Sequence, residues 1–218
     1  MMNEFLEGYS FDVHNNDEMN YVTELEIPYQ LIRYDRDPQT RLAPKEYKEL
    51  HPTGTAPVIV DDNVILAESG AIIDYIISKY GNDRFKVKPD NPNFTYYLFW
   101  YHFANDSMMP AFLVDLVVKL LAGDTENFNA IVETLQQRAY RAMDLAEKRL
   151  GTNDYFAGNE FTAADIMMVF PLTTMRAFSP FDLTSYPNIR AYSKRIGAHL
   201  GYQRAMKKGD PDFTPLLD

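Results

Sequence analysis

Along the first 80 residues the apolar positions change period several times. Tyr29–Tyr34 (YQLIRY) alternates apolar and polar side chains and predicts a strand. Val58–Val60 and Val64–Leu66 are short apolar runs on either side of Asp61-Asp62-Asn63, which predicts a hairpin. Asp17–Leu25 places Met19, Val22 and Leu25 at helical spacing. Ser69–Tyr80 gathers Ile72, Ile73, Ile76 and Ile77 on one helical face, with Ser69 as N-cap and Gly81 as C-cap. A short helix is expected near Pro44–Leu50. The opening MMNEFLEGYSFDV makes a poor strand, because Glu4, Glu7, Gly8 and Asp12 interrupt its apolar residues. That strand is expected to be short, displaced or lost. Helices beside a small mixed sheet form an α/β unit.

Gly81 to Asn93 (GNDRFKVKPDNPN) is polar and rich in turn formers, as a linker is. Beyond it the strand signal largely disappears. Phe94–Leu121, Glu126–Leu150, Ala163–Ala177 and Ile189–Lys207 all read as helices, with Pro110 expected to kink or break the first. The division is therefore an α/β domain over 1–81, a linker over 82–92 and an all-helical domain over 93–218. One helix start is explicit. Thr162 is an N-cap, Asp165 stands at N3, and Phe161 and Ile166 flank them as a hydrophobic staple.

Composition narrows the chemistry. The chain has 218 residues, ample for a core, and a net charge of −10. That balance argues against nucleic acid or an anionic membrane surface as the main partner. There are no cysteines, hence no thiol nucleophile, no disulfide and no Cys-type zinc site. No metal site is expected. No run is long and apolar enough to predict a membrane span, and MMNEFLEGYS lacks the basic start of a secretory signal, so cytoplasm is the expected location.

Two short motifs can carry chemistry. In Ala56-Pro57 the proline suits a strand start, and Ala56 is pushed to an extended conformation. If that bond is cis, Ala56 turns its N–H and C=O outward, where an extended peptide can pair as an added strand. The same dipeptide also fits a strand edge with no ligand. In Glu68-Ser69-Gly70 a helix mouth suited to a carboxylate stands beside an acid suited to an ammonium group, the two charges of an α-amino acid. A capped helix with an exposed glutamate is the plainer reading. A single hairpin separates the motifs, so they are expected to be neighbours in space.

His51–Gly81 (HPTGTAPVIVDDNVILAESGAIIDYIISKYG) resembles the glutathione-binding segment of the glutathione transferase family, within a thioredoxin-like domain. Tyr29–Pro57 and Trp100–Leu116 resemble a bacterial and fungal branch of it. Phe156-Ala157-Gly158-Asn159 with the Thr162 capping box resembles its helical-domain signature. The resemblance spans roughly residues 20–208. It implies a thioredoxin-like domain followed by a helical bundle, with glutathione as co-substrate. Ala56 would pair with the cysteinyl backbone, and Glu68 and Ser69 would hold the γ-glutamyl end. Thr55 stands where the family often has a basic residue for the glycyl carboxylate, and Arg41 or His51 would supply that charge. His51 equally suits a turn before Pro52.

The family's sulfur donor, a Tyr, Ser or Cys before the first helix, has no counterpart at Asp12–Asn15. Asn15 is the candidate, since its amide can donate to sulfur; it equally suits a helix N-cap. His14 can also donate, while Tyr9 and Ser10 lie too early in the chain. For a second, apolar substrate the candidates are Tyr101, His102, Asn105 and Met108, at mostly three- and four-residue spacing. The resemblance thus implies a transferase joining the glutathione thiolate to an apolar electrophile, in a detoxifying role and as a homodimer. The missing hydroxyl or thiol leaves open a non-catalytic binding or regulatory protein of the same fold. A glutathione-dependent isomerase or biosynthetic conjugating enzyme is the third reading.

Overall fold

The computed structural model describes residues 6–12, 29–34, 37, 43–121 and 126–218. The helix expected over Asp17–Leu25 lies outside these residues. The chain falls into two compact units. One comprises Met1–Phe85 with Ala198–Thr214, and the other Lys86–Gly197 with Pro215–Asp218.

The first unit is built on a four-stranded sheet: β1 (Leu6–Asp12), β2 (Tyr29–Tyr34), β3 (Val58–Asp61) and β4 (Val64–Ala67), in the order β2-β1-β3-β4. β1 runs parallel to β2 and antiparallel to β3, and β3 and β4 form the hairpin. The expectation of a short, displaced or lost first strand is overturned. β1 has seven residues and is a central strand. Its register with β2 shifts between Leu6 and Tyr9, so the awkward Glu7-Gly8 pair falls at an irregularity while pairing on both sides holds the rest. The hairpin turn is also tighter than expected. Asp61 pairs with Val64 as the last residue of β3, leaving Asp62-Asn63 as the loop, with Asp62 at φ 54°.

Helix α1 (Lys45–Lys48) precedes β3, and α2 (Ser69–Lys79) follows β4. Ile72, Ile73, Ile76 and Ile77 of α2 are fully buried. At about 2–3 kcal/mol for each buried isoleucine, this stripe is a main anchor of the unit. The caps differ from expectation. Ile72 N–H bonds the Glu68 carbonyl, so Glu68 is the N-cap and Ser69 the first helical residue. At the other end Tyr80 is the C-cap, and the left-handed residues are Asn82, Asp83 and Phe85 rather than Gly81. Gly81 still donates its N–H to the carbonyls of Ile76 and Ile77.

The helical unit contains α3 (Phe94–Phe103), α4 (Met109–Leu121), α5 (Glu126–Leu150), α6 (Ala163–Leu172) and α7 (Pro187–Gly197). A π-helical turn over Ala104–Met108 joins α3 to α4. Pro110 has no N–H for the Asp106 carbonyl, and the wider turn before it accommodates the ring without a break. The run expected over Ala163–Ala177 stops at Thr173 and continues as a 3-10 turn over Thr174–Ala177. The run over Ile189–Lys207 is interrupted at His199, which is extended, and resumes as α8 (Leu200–Gly209). α8 belongs to the first unit, where Lys208 Nζ donates to the Tyr29 carbonyl at 3.3 Å and sits 3.4 Å from that ring's centroid. The unit's sheet order, with β1 and β2 parallel and the hairpin antiparallel, is the expected thioredoxin-like arrangement, and a helical bundle makes up the other unit.

The capping box is present. Thr162 N–H and Oγ1–H both donate to Asp165 Oδ2, at 2.8 and 3.0 Å, and Phe156 N–H donates to Oδ1 at 2.9 Å. Asp165 is fully buried, and burial pushes its pKa up to about 6 despite these bonds.

Candidate functional site

The strand register decides which sequence candidates meet. Ser10 of β1 lies opposite Val58 of β3, and Val58 lies opposite Ala67 of β4. Ala56 precedes Val58 by two residues, and Asp12, the end of β1, follows Ser10 by two. Ser69, the start of α2, follows Ala67 by two. The end of β1, the start of β3 and the mouth of α2 therefore share one end of the sheet. Ala56 and Glu68-Ser69, separated by a hairpin in sequence, lie toward that same end.

Ala56 is held from behind. Tyr47, Val58 and Ala67 form a buried cluster, and Ala56 packs on it with Tyr34, Ala43 and Leu50. Tyr34 and Tyr47 meet edge to face at 5.3 Å. The Ala56-Pro57 bond is cis. Tyr47 Oη donates to the Thr55 carbonyl at 3.4 Å. Among the described residues, neither N–H nor C=O of Ala56 has a backbone partner.

Glu68 takes φ 75° and ψ 117°, in the left-handed half of backbone space where a glutamate is strained by about 1–3 kcal/mol. Its side chain is exposed, whereas Ser69 is buried. The first turn of α2 carries no acid, so nothing within it neutralises the positive end of the helix dipole. The arrangement offers a helix terminus for a carboxylate, a glutamate for a cation and, at Ala56, main-chain groups with no backbone partner among the described residues.

His51 starts the preceding turn. Gly54 N–H bonds its carbonyl at 2.9 Å, with Gly54 at φ 62°. His51 Nδ1 accepts the Thr53 N–H at 3.3 Å and lies 3.0 Å from Thr53 Oγ1, which puts the ring proton on Nε2. Thr55 is exposed beside it. Arg41, Asn15 and His14 lie outside the described residues. Tyr9 and Ser10 fall within β1, opposite Ile59 and Val58, not in the loop after it.

The four residues expected to line a second-substrate pocket separate by exposure. Tyr101 and Met108 are buried, while His102 and Asn105 are exposed. His102 Nδ1 stands 3.8 Å from Asp106. None of the four lines the groove of about 380 Å³ found in the helical unit, whose walls include Phe103, Asp106, Pro110, Val114, Arg138 and Arg141.

A polar cluster that sequence reasoning missed sits at the far end of β3. Asp61, buried at 3% exposure, accepts hydrogen bonds on one oxygen from Tyr75 (2.6 Å), Lys79 (2.7 Å) and Tyr80 (2.7 Å). Lys79 and the two tyrosine hydroxyls hold its carboxyl below the usual value against the opposing effect of burial. The spacing of Tyr75, Lys79 and Tyr80 on one helix was the available signal. Among the described residues, no helix is long and apolar enough to cross a membrane, and no cluster of His, Cys, Asp or Glu could hold a metal ion.

Comparison with known proteins adds independent findings. Residues 20–84 match the family model for the N-terminal domain of glutathione S-transferases, and residues 104–199 match that for the C-terminal domain. The chain is 33% identical over 204 residues to glutathione S-transferase 3 of Schizosaccharomyces pombe, covering 89% of this chain and 83% of the relative. A glutathione S-transferase from Actinobacillus pleuropneumoniae superposes with a TM-score of 0.83 at 28% identity, over 95% of this chain and 96% of the other. A sphingomonad glutathione S-transferase, solved in complex with glutathione, has the same fold at a TM-score of 0.72 and 19% identity, over 93% of this chain and 98% of the other.

Proposed function

The chain belongs to the glutathione S-transferase family, and from that premise we propose that it binds glutathione on the first unit and transfers its thiolate to an apolar electrophile. The observation that carries this reading is the convergence at one sheet end of Ala56, the Glu68-Ser69 helix mouth and the end of β1. The cysteinyl main chain would pair with Ala56 as an added strand. The γ-glutamyl carboxylate would sit at the first turn of α2 with Ser69, and its ammonium group against Glu68. Thr55, with Arg41 or His51, would take the glycyl carboxylate; Nε2 of His51 is the nitrogen left to donate.

Asn15 follows the last residue of β1 by three positions in sequence. Its amide would donate to the sulfur. Only the thiolate is a good nucleophile, and a free thiol has a pKa of about 8.5, so the site must lower that value to work at neutral pH. Tyr101, His102, Asn105 and Met108 remain the proposed residues for the electrophile. The proposal includes a homodimer and a cytoplasmic location. The absence of Tyr, Ser or Cys at 12–15 favours one rival, a protein of this fold that binds without conjugating.

Ultraviolet titration of bound glutathione separates the two. A transferase lowers the thiol pKa on binding and turns over an activated aryl halide, and Asn15→Ala weakens both effects. A protein that leaves the thiol pKa unchanged and conjugates nothing defeats the reading. A wild-type shift that survives Asn15→Ala removes only the assignment of Asn15.

A further inference from the structure

We propose that Asp61 is a positioning residue for the glutathione site, setting the seat of α2 from the end opposite the ligand. The inference rests on the reading of the α2 mouth given above and adds to it a residue that touches no substrate.

Helix α2 leaves the hairpin through Glu68, a single residue in a left-handed conformation. Its isoleucine stripe fixes which face is buried, but apolar packing is non-directional. The directional restraint lies at the last turn. Three donors from Tyr75, Lys79 and Tyr80 converge on one oxygen of Asp61 at 2.6–2.7 Å. Lys79 Nζ also bonds Tyr75 Oη at 3.0 Å and lies 5.4 and 5.1 Å from the Tyr75 and Tyr80 ring centroids. Bonds to a carboxylate of this length are the strong kind.

The strand that carries Asp61 is the one that begins just after Ala56. The knot therefore ties the two proposed grips on the tripeptide, the Ala56 edge and the Ser69 mouth, to one another. A helix of 11 residues is about 16 Å long, so a swing of about 2 Å at Lys79 would tilt its axis by about 7°. The N–H groups that meet the ligand turn with that axis, and hydrogen bonds weaken with misalignment. Burying a carboxylate is a poor way to gain stability alone, since apolar residues of the same volume often do as well. A directional set of bonds specifies geometry, which apolar residues would not.

The test compares wild type, Asp61→Asn, Lys79→Met and the double variant. The readouts are glutathione titration calorimetry, steady-state kinetics with an activated aryl halide, and urea unfolding. Asp61→Asn is expected to raise the glutathione Kd and KM by about 5- to 10-fold while kcat and the KM for the aryl halide stay within about 2-fold. Lys79→Met should act in the same direction, and the double variant should bind no worse than the weaker single, because both break one knot. A lower urea midpoint with an unchanged glutathione Kd would make Asp61 purely structural and overturn the proposal. A fall in kcat at unchanged glutathione KM would also overturn it. Should Asp61→Asn fail to fold, Tyr80→Phe removes one donor from the same oxygen and is judged by the same split, with a rise of about 2-fold expected. A wild type that binds no glutathione defeats the family-based reading and this proposal together. A wild type that binds, with variants that bind equally, defeats this proposal alone.

Discussion

Replacing Asp165 with asparagine removes the one carboxylate that is fully buried in the helical unit's capping box. Three donors reach its oxygens, Phe156 N–H, Thr162 N–H and Thr162 Oγ1–H, and all of them favour the charged form. Desolvation opposes them and wins, raising the pKa from 3.8 to about 6. The sign follows from proton counting. Between those values the folded chain holds a proton on Asp165 and the unfolded chain does not, so this group's contribution falls as pH rises. The contribution is greatest below the unfolded value and is lost by the time pH passes the folded one. A shift of about 2 units at about 1.4 kcal/mol each gives a loss of about 3 kcal/mol across that window. Asp165→Asn does not titrate there. Urea unfolding of both proteins at intervals from pH 4 to pH 7 checks this. The stability difference, wild type minus variant, is expected to shrink by about 3 kcal/mol over that range. A flat difference would show that desolvation does not dominate. A difference that grows with pH would show that the hydrogen bonds do, and either result refutes the reasoning.

Two further outcomes follow from backbone geometry. Gly158 has φ 155°, and a Cβ there would lie 2.6 Å from Asn93 Nδ2, so Gly158→Ala should lower stability by about 2 kcal/mol, read as a shift in the urea midpoint. Glu68→Gly relieves the φ of 75° and should raise stability by about 1 kcal/mol, after the added entropy of the unfolded glycine is counted. The same change should weaken glutathione binding about 10-fold or more by calorimetry, because it removes the partner proposed for the ligand's ammonium group.

Local pattern carried much of the architecture. The isoleucines of α2, the hairpin runs Val58–Val60 and Val64–Leu66, the long α5 and the Thr162 capping box were legible because each depends on neighbours within about a turn of helix or a pair of short strands. The candidate site motifs Ala56-Pro57 and Glu68-Ser69 were picked out by chemistry local to each, and their role is the proposal above. Where helices begin and end was less legible. The α2 caps, the π turn before Pro110 and the interruption at His199 depend on how the chain packs as well as on propensity.

Long-range pairing belonged to the tertiary structure alone. β1 is a poor strand by composition, yet β2 and β3 pair with it from both sides, a support that no window of sequence contains. The same non-local register brings the end of β1, Ala56 and Ser69 to one end of the sheet. It also leaves Asp61, which reads as part of a polar turn, beneath the last turn of α2 with three donors on one oxygen. Periodicity along a chain encodes which face of an element is apolar. Which elements lie side by side, and in what register, is set by the free energy of the whole packed unit, and that is where the candidate site comes together.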